Sequence, residues 1–436
     1  MKPSSMLSRL ALLALALVAG LAATGAALAQ GANGKVTVTL WHRWDGGRDE
    51  WIQKMLDDFM AAHPDIEAVQ VLTPGAGMQD RLTLMLASGT APEIVMLNSE
   101  WAAPLMAMGG LMPLDEHAAR AGIDFSLFHE ADLAPFQLDQ RTYALPQMSG
   151  TAWTNLLFVN RRLLAEAGLN PDAPPATWAE LREAAMRLTR TDGEGRLTQS
   201  GVDIPSAVDA AHWNGAQLWS EDWRTASVVN SRVLETLDFL RELVELQYGN
   251  WASYSAFLGT GYDIAFYQER QGLSFRNNSA FGHLMNLGFV EDWGAALAPA
   301  SGLHPDAKPV GLTTSTWAYA IPANLPPEKL DATLKLFWWV TAHEDGAGWF
   351  SRYQGRPSPV IPFNQHPDYR DNPYWDVVIE AANLSIVTPP VSFANTNSQL
   401  MAVVRGDTNP QQGMAAAELQ LQLALDQYWE IRDAND

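Results

Sequence analysis

The stretch that most restricts the fold is MLASGTAPEIVML, Met85–Leu97. It reads as a helix end, a Gly-Thr-Ala-Pro break, and a short run in which Glu93 is the only charge. A strand apolar on both faces must be covered on both faces, which is the situation inside a parallel sheet flanked by helices. The preceding chain has the matching rhythm. In KVTVTLWHRW, Val36, Val38 and Leu40 alternate with Thr37 and Thr39, a strand signal. In RDEWIQKMLDDFMAAHP, Trp51, Met55, Leu56, Phe59 and Met60 recur at helical spacing, and Pro64 stands beyond the end. IEAVQVLTPG reads as a second strand, and GMQDRLTLMLASG as a second helix closed by Gly89. The order strand-helix-strand-helix-strand specifies an α/β unit.

A second series begins near Gly150. WTNLLFVN reads as a strand and RRLLAEAGL as a helix. In PPATWAELREAAMRLTR, Thr177 followed three residues later by Glu180 predicts a capping box. SRVLETLDFLRELVEL places Leu234, Leu237, Leu240 and Val244 near one helix face. Two later helices open on Pro327 and on Asn409-Pro410, where the missing N–H of proline costs nothing. The chain has 436 residues, too many for one core, so two lobes are expected. No repeat or low-complexity linker separates the two series, so the chain should pass between lobes through structured segments.

Lys2 and Arg9 precede an apolar run from Leu10 to Leu21, and Ala27–Ala29 offer a small-x-small cleavage site before Gln30. That pattern is a secretory signal peptide, residues 1–29. No later run approaches the roughly 18 apolar residues of a membrane span. There is no cysteine, which excludes disulfides, thiolate catalysis, Cys-bound metal and a lipidated cysteine at the cleavage site. A free periplasmic protein is expected. The formal charge is −21, from 28 basic and 49 acidic side chains, and such a chain is repelled by nucleic acid and by anionic membranes. The 17 Trp are many for a core of this size, because a buried indole needs a partner for its N–H.

Ligands of open α/β sheets bind in the crevice beyond the carboxyl ends of the strands. WHRWDGG lies past KVTVTL, and NSEW lies past EIVML. If those strands are neighbours, Trp41, His42, Trp44, Asp45, Asn98, Glu100 and Trp101 converge on one edge. Carboxylates and amides bond hydroxyls while indole faces cover sugar C–H groups, so the set suits a carbohydrate. The other reading is solvated loops with one or two structural Trp.

The segments FMAAHPDI, LTLMLASGTAPEIVML, GGLMPLDEH, YALPQMSGTAWTNLLFVNRRLLAEAGLNPDAPPATWAELREAAMRLTRTDGEG and VVRGDTNPQQGMAAA, in that order, resemble the family-1 extracellular solute-binding proteins of ABC importers. Maltose-binding and glycerol-3-phosphate-binding proteins are of that type. The resemblance implies a two-lobed, type II periplasmic binding fold in which each lobe is a mixed sheet flanked by helices. It implies lobe 1 at 30–147 plus 314–350 and lobe 2 at 152–309 plus 351–436. Hinge segments would lie near 148–151, 310–313 and 350–356. It further implies ligand contacts from Trp41–Asp45, Asn98–Trp101, Trp153, Trp213 with Trp219, Asn277, Asn278, Thr313 with Thr314, Arg356, Phe393 and Asn395. A carbohydrate ligand, a cognate inner-membrane permease and a monomer are expected, with no catalytic residue, metal or cofactor. Maltose itself is not implied, since the side chains at these places differ from those of maltose receptors.

Other motifs carry little. DGEGR lacks the alternating acids of a calcium loop and reads as a turn. GTGYD and GAGM are not phosphate loops, and no H-E-x-x-H or G-x-S-x-G occurs. Two function classes remain: a transport receptor, or a secreted carbohydrate-active enzyme or lectin. The first is favoured. Trp outnumber cations at the matched loops, which favours a sugar; Arg43, Arg276, Arg352 and Arg356 keep an anionic sugar or a glycerol phosphodiester as the alternative.

Overall fold

A computed structural model describes residues 34–73, 75–258, 265–286, 292–313 and 316–433. The signal segment with its cleavage after Ala29, the GTGYD turn and Thr314 lie outside these residues. Strand β1 (Val36–His42) leads through helix α1 (Arg48–Ala62) to β2 (Ile66–Leu72), and helix α2 (Met78–Ser88) leads to β3 (Ile94–Asn98). Both β2 and β3 run parallel to β1. All five residues of β3 are buried, as a strand apolar on both faces requires. Helix α1 buries Ile52, Met55, Leu56 and Phe59. Gly89 ends α2 at φ 69°, a left-handed conformation that a side chain would strain.

Strand β4 (Ala144–Met148) follows, then β5 (Leu156–Asn160) and helix α3 (Trp178–Leu188). The capping box forms: the Glu180 N–H donates to Thr177 Oγ1 at 3.3 Å, and the Glu180 carboxylate accepts from the Thr177 N–H at 3.1 Å. Asp192 closes the DGEGR turn by accepting from the Glu194 and Arg196 backbones and from the Arg196 side chain. Next come β6 (Leu197–Val202), α4 (Ala207–Trp213), α5 (Ser231–Tyr248), β7 (Gln271–Phe275) and β8 (Trp293–Leu297). In α5 the core stripe is Val233, Leu237, Leu240 and Val244, whereas Leu234 is exposed; the expected stripe was one residue off at its start. Strand β9 (Trp317–Ala320) precedes α6 (Leu330–Ala342), which one turn of tighter helix from Pro327 introduces. Helices α7 (Ala394–Arg405) and α8 (Pro410–Asp433) complete the chain. Among the described residues no helix is long and apolar enough to cross a membrane.

Two five-stranded sheets result. The first has the order β2-β1-β3-β9-β4, and the second β8-β5-β7-β6 with Arg190–Thr191 at its edge. Both are mixed: β9 is antiparallel to β3 and β4, and β5 is antiparallel to β7 and β8. The sheets are joined through connections at one end of each. The chain leaves the first sheet at Met148 and enters the second at Leu156; it leaves the second at Leu297 and re-enters the first at Trp317. The carboxyl ends of β1, β3, β6 and β7 all lie at these connected ends of the sheets, because Trp317 pairs with Asn98 and Phe275 pairs with Leu157.

The connecting segments are tied together. Gly311–Leu312 pair in parallel with Ser385–Ile386, Asn155 donates to the Pro309 and Ala381 carbonyls, and Thr388 donates to the Thr313 carbonyl at 3.1 Å. Ser385–Ile386 thus join this bundle of connections, beside the segments expected from sequence. Residues 349–360 stay with the first sheet: Phe350 packs on Trp44, Tyr353 on Trp51, and Val360 bridges Phe128. Tyr369 and Trp375 then pack in the second core. A two-residue parallel pair between segments over 70 residues apart leaves no periodicity to read in a sequence.

Helix α3 lies so close to β6 that a Cβ on Gly201 would collide with the Ala185 backbone. Gly201→Ala should therefore lower stability by about 1–3 kcal/mol through forced overpacking. The shift in chemical denaturation midpoint at unchanged slope measures it.

Candidate ligand-binding cleft

The first edge begins where β1 ends, and β1 runs two residues further than expected. Trp41 and His42 are its last residues, and Asn98 is the last of β3, where the sequence leads one to expect loop. The strand is prolonged because β2 pairs with it out to Leu72. Trp41 is 4% exposed and sits level with Val71 and Val95. His42 Nδ1 accepts the Trp44 N–H at 3.1 Å, which makes Nε2 the donor to Gln70 Oε1 at 2.8 Å. Burial lowers its pKa, so the ring is neutral and braces the WHRW turn with both nitrogens engaged. Trp44, 2% exposed, packs at 6.4 Å from Trp317 and 6.0 Å from Phe350. Trp41, His42 and Trp44 therefore pack in the core behind the edge. Asp45 is exposed and paired with Arg48 at 3.0 Å.

Asn98 Oδ1 accepts the Glu100 N–H at 3.0 Å and so caps the turn Ser99–Trp101. This is what the abrupt end of β3 achieves: the cap turns Glu100 and Trp101 outward. Burial of its carboxyl raises the Glu100 pKa, although the residue keeps exposed surface. Trp101 is half-buried and meets Trp317 edge-on at 6.2 Å. Trp317, also half-buried, was not singled out from sequence; its position in STWAYA, just past the expected crossing, was the available signal.

Between the sheets stands Asp132. Its carboxyl accepts from Ser149 Oγ at 2.5 Å, from the Gly150 N–H at 2.7 Å and from Thr316 Oγ1 at 3.3 Å. Burial raises its pKa against the opposing charge of His129 and those hydrogen bonds. Gly150 is confined here, since a Cβ would stand 2.6 Å from Thr316 Oγ1. Arg356 is buried, contacts Met148 Sδ through Nη1 at 2.7 Å, and lies 5.6 Å over the half-buried Trp153. Thr313 is buried in the bundle of connections.

On the second edge Asp203 accepts from Ser274 Oγ and the Phe275 N–H and pairs with Arg276 at 3.0 Å. Asn277 caps Ser279, and Asn278 is buried and donates to the Thr151 carbonyl at 3.2 Å. Trp213 is 1% exposed and donates to the Val310 carbonyl at 3.1 Å, so it is a packing residue and not an open platform. Phe393 is buried and stacks at 5.2 Å on the half-buried Trp219; Asn395 is exposed on the first turn of α7. Among the Trp expected to touch ligand, Trp101, Trp153 and Trp219 are half-buried, whereas Trp41, Trp44 and Trp213 are buried. Asp209, on the first turn of α4, was missed. The residue is only partly covered, but its carboxyl is enclosed beside Ser206 and Thr154, and burial pushes it from 3.8 up to about 7. Among the described residues no group of three His, Asp or Glu could hold a metal ion.

The family profile described as "Bacterial extracellular solute-binding protein" matches residues 44–347. The chain belongs to that family. The sn-glycerol-3-phosphate-binding periplasmic protein of Escherichia coli (strain K12) is 28% identical over 207 residues, 46% of this chain and 46% of that protein. The chain thus spans about half the length of the curated relatives it matches. In structure, the sugar-binding protein MalE from Xanthomonas citri superposes with a TM-score of 0.74 at 17% identity, covering 91% of this chain and 99% of that one. An ABC transporter solute-binding protein from Thermotoga lettingae, bound with alpha-D-tagatose, gives 0.69 at 20% identity over 89% and 99%. These likenesses establish the two-lobed α/β fold of this solute-binding protein.

Two measurements test the cleft chemistry. The folded state holds the Asp209 proton more tightly than the unfolded chain, so this group's contribution to stability falls as pH rises from 3.8 to about 7. His212, buried neutral with its pKa lowered to about 4, has the opposite slope. Asp209→Asn should remove the first slope, so the variant gains on the parent as pH rises across that window in denaturant midpoints. Trp213→Ala should cost about 3–5 kcal/mol of stability, as removal of a buried indole does. Trp101→Ala should stay close to the parent in the same unfolding assay.

Proposed function

We propose that this protein is the exported receptor of an ABC importer, which captures a sugar or sugar derivative between the two sheet edges and hands it to a membrane permease. The observation that carries the reading is two sheets joined by tied connections at their strand ends, with the half-buried Trp101 and Trp317 at the end of the first sheet and the half-buried Trp153 and the enclosed Asp209 beside the connections. Indole faces and carboxyl groups in one cleft suit a polyol. The names of its relatives support the same class: a glycerol phosphate receptor among curated sequences and sugar receptors among solved structures. In this reading residues 1–29 are a leader removed after Ala29 and the mature protein is a periplasmic monomer. Lobe 1 comprises 30–147 plus 314–360, and lobe 2 comprises 152–309 plus 361–436.

The lobes close by rotation about the tied connections, because a ligand touching both rims binds the closed form better and shifts the population toward it. The protein leaves its ligand chemically intact. Calorimetry against a panel of neutral and anionic sugars tests this directly, with solution scattering on any ligand that binds. One-to-one binding with a small decrease in radius of gyration and recovery of unchanged ligand is expected. Turnover of the sugar would identify an enzyme instead, and binding without closure a lectin. Trp101→Ala and Trp153→Ala should each weaken binding by about 2 kcal/mol while folding normally, as loss of a stacking platform does.

A further inference from the structure

Arg43 is the one residue of WHRWDGG that is neither core nor turn nor paired with a neighbouring charge. It stands immediately beyond β1, on the edge that carries Trp101 and Trp317, and it is half-buried. Its guanidinium carbon lies 4.6 Å from the Trp317 ring centre. On its other side is Gly75, so close that a Cβ there would be 3.2 Å from Cζ, 3.4 Å from Nη1 and 3.5 Å from Nε. The fork is thus clamped between an indole face and a glycine backbone. Its Nε is buried and has no hydrogen-bond partner among the described residues. Among the described residues no carboxylate pairs with it, in a chain whose acids outnumber its bases 49 to 28. Two other edge arginines are neutralised at 3.0 Å: Arg48 by Asp45 and Arg276 by Asp203.

A partly desolvated cation with an unmade hydrogen bond is unfavourable, and a partner restores the loss. A cation–π contact alone leaves the in-plane N–H donors unused, because the ring meets only the flat face of the fork. Those donors match the two oxygens of a carboxylate or of a phosphate. Trp317 links the fork to Trp101, so a flat ring surface adjoins the charge.

We propose that Arg43 is a specificity-determining residue of the cleft, and that the ligand is a sugar or polyol bearing one anionic oxygen group, which the Arg43 fork holds while the polyol lies along Trp317 and Trp101. The proposal rests on the receptor reading above and narrows its ligand class. A carboxylate and a phosphate would meet the fork alike, and separate ligands distinguish them.

The test titrates the mature protein and Arg43→Gln with neutral methyl glycosides, the matching uronates, sugar phosphates and glycerol 3-phosphate. An anionic member should bind the parent at least about tenfold tighter than its neutral counterpart, as a bidentate charged pair allows. Arg43→Gln should abolish that advantage, so that the anionic and the neutral member bind the variant with similar Kd. Arg43→Lys should restore part of the affinity, and added salt should weaken the parent's anion binding alone. Thermal unfolding of each variant confirms that it folds. Equal affinity of the parent for neutral and anionic members, or equal loss of both in Arg43→Gln, overturns the assignment while the receptor reading stands. Binding of no member of the panel overturns the receptor reading itself, and the proposal with it.

Discussion

A single buried carboxyl organises the passage between the two halves of this solute-binding protein. Asp132 belongs to the first half, yet it takes hydrogen bonds from Ser149 and Gly150 on the outgoing connection and from Thr316 on the returning one. A buried acid without partners would be strongly destabilising, so those three donors are held where the carboxyl needs them. Around this point the other connections lock in turn. Thr154 accepts the Leu312 N–H at 3.0 Å, Asn155 reaches two carbonyls, and Ser385 accepts the Ala152 N–H at 3.2 Å. Ala152 sits at φ 53°, an unusual place for a residue with a side chain, and is fully buried. Strain of this kind persists only where the surroundings over-determine the backbone.

The rims inherit their precision from that lock. Trp41, Trp44 and Trp213 are buried and do not join the accessible indoles. Trp44 packs on Trp317, which in turn faces Trp101. The second rim is held by the same logic: Asn397 on α7 accepts from Ser206 Oγ at 3.0 Å and from the Ala207 N–H at 2.9 Å, fixing the start of α4 and hence Asp209. Helix α8 packs on α7 and also touches Ala102–Ala107 of the first half, so the carboxyl-terminal helices are not confined to one side.

Much of the fold was legible in the chain. The alternation in β1, the apolar run of β3, the Thr177 capping box and the Gly89 stop each specify a local state, because their information lies within a few residues. The candidate site was legible only as a neighbourhood. WHRWDGG and NSEW do reach one edge, but which side chains face the cleft depends on where β1 stops. That is decided by pairing with β2, which carries Trp41 and His42 into the sheet. The same holds for Trp213, whose indole N–H is taken by the Val310 carbonyl 97 residues away.

By itself the sequence determined an α/β chain with two successive series of strands and helices, an export signal as an expectation, and a Trp-rich, acidic composition that points away from nucleic acid. The tertiary structure decided what stands beside what: the Asp132 knot, the pairing of 311–312 with 385–386, the Trp317 platform, and the unpaired fork of Arg43 between that indole and Gly75. Local signals arise from contacts a few residues apart and so leave a period in the chain. Contacts across scores to hundreds of residues leave none, because only the folded backbone brings their partners together.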